Sequence, residues 1–354
     1  MPRAWLVVPG RITTRTGGYI YDRRIAAGLA ALGWTVAISE IDGAFPRPDA
    51  AALAGARAVL AALPDGAIVI IDGLAMSAMP DVVEAEASRL RLVALVHLPR
   101  SADPTVPPGE RAAVAAAEAR ALHAAALVVV TGPGTPALLA GYELAAGRIA
   151  VVEPGTDVPA SPPVPRPAGA GPVGVLSVAT LNGGKGHDIL LRGLAALPPG
   201  AWTLTCAGSL TRDPATAGRV ARLAADLGIG DRVRFAGDLD EQALAAEYAA
   251  ADLFALATLR ETWGMAVAEA LAHGLPVVST RTGAIEALVG ADAGLLVPPG
   301  DEAAFAGALA RAITQPALRG TMAQAARRRG ATLPSWADAA GAMRAALDRL
   351  EHHG

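Results

Sequence analysis

Short apolar runs alternate with stretches of helical periodicity along the whole chain, and the series is played twice. In the first half the apolar runs fall at 5–8, 35–39, 67–71, 92–96, 127–131 and 149–152, with helical patterns near 20–32, 49–63, 81–89, 109–125 and 135–144 between them. In the second half a run starting at 173 is followed by others at 202–207, 232–236, 252–257, 277–280 and from 294, again separated by helical patterns; a last helix runs from 336 to about 350. Strands joined through helices pair in parallel and are covered on both faces, and such α/β sheets bind ligands at the carboxyl ends of their strands. Between the two series lies 153–171, with Pro154, Pro159, Pro162, Pro163, Pro165 and Pro167, which continues neither helix nor sheet. The expected organisation is a first Rossmann-like domain at 1–155, a linker at 156–172, a second Rossmann-like domain at 173–333 and a terminal helical segment at 334–354. A length of 354 residues suits two domains of ordinary size.

Composition narrows the class of function. Hydrophobic residues make up 53% and charged residues 18%, enough for well-buried cores. A net charge of −3 makes no case for nucleic acid as a partner. The one cysteine, Cys206, sits in an apolar run and reads as a small core residue; it excludes an intramolecular disulfide and suits a reducing compartment. No apolar run approaches the roughly 18 residues of a membrane span, and the opening run breaks at Pro9-Gly10, too early for a secretory leader. The expected location is the cytoplasm.

The chemistry concentrates at Arg260-Glu261-Thr262-Trp263-Gly264-Met265-Ala266-Val267-Ala268-Glu269. Two carboxylates bracket seven residues, and Gly264 precedes an apolar helical run that Gly274 and Pro276 stop. Glu261 therefore lies in the loop ahead of a helix and Glu269 in its early turns. The helix start between them offers unpaired N–H groups and a positive dipole end, a place for a diphosphate. The carboxylates on either side accept hydrogen bonds from hydroxyls. A ligand with phosphate in the middle and polyols at both ends is a nucleotide sugar. Glutamates at a helix start also suit the macrodipole as plain surface charges; the strand before them and the Gly, Pro and strand after them favour a site.

A second anion cradle follows the run at 173: Thr180-Leu181-Asn182-Gly183-Gly184-Lys185-Gly186, then a helix. The P-loop spacing Gly-x4-Gly-Lys-Ser/Thr is absent. Lys185 is the sole lysine, every other one of the 30 basic residues being arginine. In the first half, Gly17-Gly18 lead into a helix expected to open at Tyr19 and let backbone N–H groups approach an anion. His97 stands at the tip of a strand, where a side chain can reach a ligand.

These segments resemble glycosyltransferase family 4, retaining enzymes of the GT-B fold, in which two Rossmann-like domains flank a cleft. The resemblance covers most of 4–345 and is strongest at 173–301. It implies that Glu261 holds sugar hydroxyls and Glu269 ribose hydroxyls, with the N–H groups of Trp263, Gly264, Met265 and Ala266 at sugar and phosphates. It implies that Lys185 contacts the diphosphate and that Gly17 and Gly18 meet the donor. It assigns His97 a positioning role at the sugar or acceptor, so that Glu261, Lys185 and His97 form the catalytic set. Gly237 and Leu239 match the loop that receives the base largely through backbone. The family's arginine in the Lys185 loop is replaced by Thr180, leaving one cation to be supplied elsewhere, with Arg260, Arg11 and Arg15 as candidates. The terminal helix from 336 is expected to cross back onto the first domain.

The implied activity is transfer of a hexose from a UDP- or GDP-sugar to an acceptor hydroxyl, the acceptor being a small molecule, a glycan or a lipid-linked sugar. No cofactor is implied, and with no Asp-x-Asp motif no metal. The group Arg11, Arg15, Arg23 and Arg24 leaves room for peripheral membrane contact only; three of the four are expected to be solvated and one to serve the site. Rival readings are another GT-B enzyme, such as a sugar-nucleotide epimerase or phosphorylase, and a non-catalytic sugar-nucleotide-binding subunit. A NAD-dependent dehydrogenase would need Gly-x-Gly-x-x-Gly with an acidic residue about 20 positions on, and neither is in place.

Overall fold

Twelve strands form two six-stranded, all-parallel sheets in the computed structural model, which describes residues 1–145, 147–159 and 171–351. The first sheet holds β1 (Arg3–Pro9), β2 (Thr35–Ile41), β3 (Ile68–Asp72), β4 (Arg91–Val96), β5 (Leu127–Val130) and β6 (Ile149–Val151). The second holds β7 (Val173–Val178), β8 (Trp202–Ala207), β9 (Val233–Gly237), β10 (Leu253–Leu256), β11 (Val277–Thr280) and β12 (Gly294–Val297). Spatial order is β2-β1-β3-β4-β5-β6 in one and β12-β11-β10-β7-β8-β9 in the other. Each order reverses beside its first strand, at β1/β3 and at β7/β10. The loops leaving such a pair diverge to opposite faces and open a crevice at the carboxyl ends.

Strand alternation explains why both faces are covered. In β1, Ala4, Leu6 and Val8 enter one core and Val7 the other. In β10, Leu253 and Ala255 face one core while Phe254 and Leu256 face the opposite one. These strands read as continuous apolar runs because neither face meets water. Cys206 is a fully buried member of the second sheet's core, and burial pushes its thiol up to about 12.

The chain divides into two compact units, Met1–Gly155 together with the segment from Pro334 onward, and Thr156–Leu333. Most of the proline-rich stretch expected as a linker at 156–172 lies outside the described residues. The terminal helix, Trp336–Glu351, starts with Ser335 and Asp338 hydrogen-bonding each other's backbone N–H groups. It lies against the helix Gly17–Ala31, where Gly28 meets Ala340 so closely that a Cβ at 28 would sit 2.5 Å from the Ala340 Cβ. Trp336 packs edge-on to Tyr21, with the Arg24 guanidinium over its ring.

Three details differ from the sequence reading. The helix expected at Tyr19 opens at Gly17, so both glycines belong to its first turn. The helix expected over 135–144 stops at Leu138; a 3-10 turn, Ala140–Tyr142, follows, and the Tyr142 hydroxyl is anchored on Glu118 at 2.7 Å. A helix at Pro316–Gly330 had no counterpart, because its buried face offers one large apolar residue, Met322, beside Ala325, Ala326 and Gly330. Its end abuts the helix Met265–Ala272, since a Cβ at Gly330 would fall 2.3 Å from the Leu271 carbonyl oxygen.

Candidate functional site

The loops after β7 and β10 meet at the switch point of the second sheet. Gly186 takes a left-handed conformation, φ 64°, and a Cβ there would lie 2.1 Å from the Ala257 carbonyl oxygen, so only glycine permits the approach. The Leu259 N–H donates to the Gly184 carbonyl at 2.8 Å, and the buried Thr258 hydroxyl lies 3.3 Å from the same oxygen and 3.2 Å from Glu261 Oε1. Across this seam the Lys185 ammonium donates to Glu261 Oε1. Their side chains are 27% and 14% exposed, a geometry in which charges are only partly screened.

The Glu261 loop is held from behind by the loop after β11. The Glu261 N–H donates to Thr282 Oγ1 at 3.3 Å, and the Ala284 N–H to the Thr262 carbonyl at 3.2 Å. Gly283 packs so tightly that a Cβ would be 1.9 Å from the Glu261 carbonyl oxygen. Gly264, φ 98°, then turns the chain into the helix Met265–Ala272. Val267 and Ala268 N–H groups return to the Gly264 carbonyl, whereas those of Met265 and Ala266 have no acceptor among the described residues. These are the free donors that a helix start offers to an anion. The Trp263 side chain is buried core, so only its backbone can face a ligand.

Glu269, in the second turn of that helix, accepts the Tyr248 hydroxyl at 2.8 Å. The Tyr248 ring is stacked between Phe254 and His273, centroids 6.3 and 5.0 Å away. Burial, and then the Glu269 charge, push the Tyr248 phenol well above its ordinary range, so it stays a donor. His187 opens the helix after Lys185; burial and then the Lys185 charge push it down to about 4, and it adds no charge to the loop.

The remaining expected residues of this unit lie along the same carboxyl edge. Gly237 accepts the Gly208 N–H at 2.9 Å, with Leu239 two residues on; the Leu181 N–H donates to the Ser209 carbonyl at 3.1 Å and ties down the turn holding Thr180. Arg260 is half-buried, and its guanidinium has no partner among the described residues.

In the first unit, Gly17 and Gly18 open a helix at the end of β1, and His97 follows β4. Gly18 and His97 are in contact: a Cβ at Gly18 would lie 3.1 Å from His97 Cδ2. His97 Nε2 is 3.0 Å from Asp22 Oδ1 and 3.6 Å from Asp72 Oδ2, both acids buried. Neither acid was singled out from sequence. The available signals were Asp22 lying four residues past Gly18, on the same helical face, and Asp72 closing a strand. The arginine group is more engaged than expected: Arg11 pairs with Glu40 at 3.1 Å, Arg23 donates to the Ile12 and Thr14 carbonyls, and Arg24 covers Trp336. Arg23 and Arg24 are half-buried rather than solvated, because the loop after β1 and the terminal helix need their donors and stems. No helix among the described residues is long and apolar enough to cross a membrane.

The profile of the family described as glycosyl transferases group 1 matches residues 172–315. D-inositol 3-phosphate glycosyltransferase of Saccharomonospora viridis is 32% identical over 235 residues, spanning 62% of this chain and 54% of its own length. The chain thus spans about half the length of the curated relatives it matches. Among solved structures, sucrose-phosphate synthase from Thermosynechococcus elongatus superposes with a TM-score of 0.82 at 23% identity, covering 99% of this chain and 100% of that one. Anabaena HepE in complex with UDP-glucose gives 0.77 at 17%, covering 98% and 99%. Residues 172–315 are thus similar to the glycosyl transferases group 1 family, and the two parallel sheets share the GT-B fold that the resemblance to glycosyltransferase family 4 implied.

Proposed function

We propose that this protein is a retaining hexosyltransferase that moves a hexose from a nucleotide-diphosphate sugar to an acceptor hydroxyl. The observation that supports it best is the Lys185–Glu261 pair placed beside the donors of Met265 and Ala266. A cation brought onto a carboxylate by the fold, with helix-start N–H groups four and five residues after that carboxylate, matches a sugar diphosphate: hydroxyls for Glu261, charge for Lys185 and the helix start. Glu269, oriented by Tyr248, takes the ribose hydroxyls. The edge of Gly237 and Leu239 receives the base. Gly17, Gly18 and His97 serve the sugar or the acceptor.

In the transfer, the acceptor oxygen bonds to the anomeric carbon on the face the diphosphate leaves. The bond from that carbon to the diphosphate oxygen breaks, and the acceptor proton goes to that departing oxygen. Lys185 and the helix start hold the charge that grows there, a term that elsewhere costs about 10²–10³ in rate when one donor is removed. Arg260, whose guanidinium has no partner among the described residues, is the candidate for the cation missing at Thr180. These residues supply the positive charge without a cofactor, so EDTA is expected to leave the rate unchanged.

HepE, a fold neighbour, is bound to UDP-glucose, which puts UDP-glucose first among donors to try. The test is a thermal-shift panel of UDP-, GDP- and ADP-glucose, followed by transfer assays on an acceptor panel that includes inositol phosphates. One nucleotide should raise the melting point, by an amount set by about 2.7 kcal/mol at a hundredfold excess over Kd. No shift with any of them would sink the reading. Hydrolysis or epimerisation of the donor without transfer would favour the rival enzyme classes.

A further inference from the structure

Asp22, Asp72 and His97 form a cluster that the donor loops do not use. One ligand atom from each lies within 4.8 Å of the others, the sole such grouping of His, Cys, Asp and Glu among the described residues. The residues come from three elements: the helix Gly17–Ala31, the end of β3 and the segment after β4. Asp22 is 0% exposed and Asp72 5%, while the His97 side chain keeps 24% of its surface open. The imidazole is gripped on several sides. Nε2 faces both carboxylates, Gly18 backs the Cδ2 edge, and Tyr21 meets the ring edge-on at 5.2 Å. Tyr21 is itself fixed, its hydroxyl donating to the Val152 carbonyl at 2.9 Å.

Two carboxylates out of water demand a cation. Asp72 has local support, since its Oδ1 accepts the Leu74 N–H at 2.7 Å. Asp22 has none: Oδ2 is buried without a hydrogen bond, and Oδ1 relies on His97. A buried carboxylate with one oxygen unpaired persists only against a positive partner.

We propose that Asp22 and Asp72 are positioning residues that hold His97 as a fixed imidazolium, so that in the transfer reaction it acts as a cationic hydrogen-bond donor and not as the base that takes the acceptor's proton. The functional half rests on the placement of His97 at the sugar or acceptor given above. The electrostatics agree. Burial pushes the His97 imidazolium down, but the charge and hydrogen bond of Asp22, and then the charge of Asp72, carry it above its ordinary value. Burial and then the Asp22 charge push Asp72 up to about 7, against the pull of His97 and the Leu74 and Ala75 N–H groups. Tyr21 is pushed up by burial and then by Asp22, so it remains a neutral wall. A ring already holding its proton cannot accept another, which leaves the departing diphosphate oxygen to take it.

The test is NMR on the full chain labelled at histidine Cε1, with six histidines and His97→Gln to assign the signal. The His97 signal should titrate above the ordinary ~6.5. Asp22→Asn should lower that midpoint by at least about one pH unit, a step that corresponds to ~1.4 kcal/mol. Asp72→Asn, which keeps the helix cap, should move it the same way by less. The alkaline limb of kcat/KM should shift down in step in both variants. A midpoint at or below ~6.5 in the unaltered chain, or one unmoved in both variants, overturns the proposal. A midpoint that moves while the rate profile stays put overturns the placement of His97 at the transferring sugar, and the functional half with it. A signal that depends on added Zn²⁺ makes the three residues a metal site and overturns the proposal outright.

Discussion

The Lys185 ammonium and the Glu261 carboxylate, 76 positions apart, are hydrogen-bonded to each other where the loops after β7 and β10 converge. In the absence of a donor each neutralises the other. Under the proposed function, a bound diphosphate would compete for Lys185 while sugar hydroxyls would occupy Glu261, and the two side chains are already together before the ligand arrives. Lys185→Ala should lower kcat/KM for transfer by about 10²–10³. It should also cost stability, because Glu261 is left largely buried without its cation. Initial rates across donor concentrations, with a melting curve beside them, separate the two effects. A rate within twofold of the unaltered chain would remove Lys185 from the site.

Tyr248 gives a subtler prediction. Its hydroxyl touches Glu269 at 2.8 Å and the Ala266 carbonyl at 3.2 Å, and the ring is buried. Tyr248→Phe removes one charge-assisted hydrogen bond, worth about 1.5–3 kcal/mol, but keeps the stack between Phe254 and His273. Donor KM should rise by about three- to tenfold, part of that bond's worth, with kcat within twofold. A fall in kcat at unchanged KM would mean that Tyr248 acts on the chemistry rather than on ribose binding.

Backbone geometry gives a prediction about glycines. Gly186→Ala places a Cβ 2.1 Å from the Ala257 carbonyl oxygen at φ 64° and should destabilise the second unit by at least about 2 kcal/mol. Gly183, three residues earlier in the same loop, has nothing within 4 Å of its would-be Cβ, and Gly183→Ala should leave the melting point within a degree. Calorimetry on both variants checks the contrast; equal effects would contradict the close approach of the two loops.

The two units should respond to pH in opposite directions. Asp72 sits at about 7 when folded, against ~3.9 for a free carboxyl, so the folded state binds more protons between those values. Its contribution therefore declines as pH rises from about 4 through 7. His97, raised as well, adds to the same trend: its contribution is complete below ~6.5 and is lost as pH climbs through the higher folded value. His187 is the reverse. Held neutral down to about 4 against ~6.5 unfolded, it costs stability as pH falls between those values. Calorimetry from pH 4.5 to 8.5 should show stability falling less with rising pH between about 4 and 7 in Asp72→Asn, and falling less with falling pH between about 6.5 and 4 in His187→Leu. Either variant changing the slope in the opposite sense would contradict the assignment.

Much of the candidate site in the second unit was legible because its signals are local. Glu261, Gly264 and Glu269 lie within nine positions, and Lys185 closes a glycine turn at a helix start. Alternating apolar and helical runs were enough for the two parallel sheets. What escaped depends on distance along the chain. Asp22 and Asp72 are unremarkable acids until the switch point at β1/β3 brings them to His97. Tyr248 looked like any helical aromatic until the fold set its hydroxyl against Glu269. The helix Pro316–Gly330 was missed because alanine and glycine carry almost no hydrophobic contrast, although Gly330 matters by letting that helix close on Leu271. That Arg23 and Arg24 are both engaged, when three of the four arginines at 11, 15, 23 and 24 were expected to be solvated, was not legible because a sequence does not show which carbonyls or rings lie within reach of a long side chain.

The central claim can be tested on one resonance. Lys185 is the chain's sole lysine, so selective ¹³C-lysine labelling yields a single ε-methylene signal. Titration with the nucleotide sugar that raises the melting point should shift that signal saturably, and Glu261→Ala should change its starting position by removing the partner. A donor that binds by thermal shift yet leaves the Lys185 signal unmoved would contradict the account.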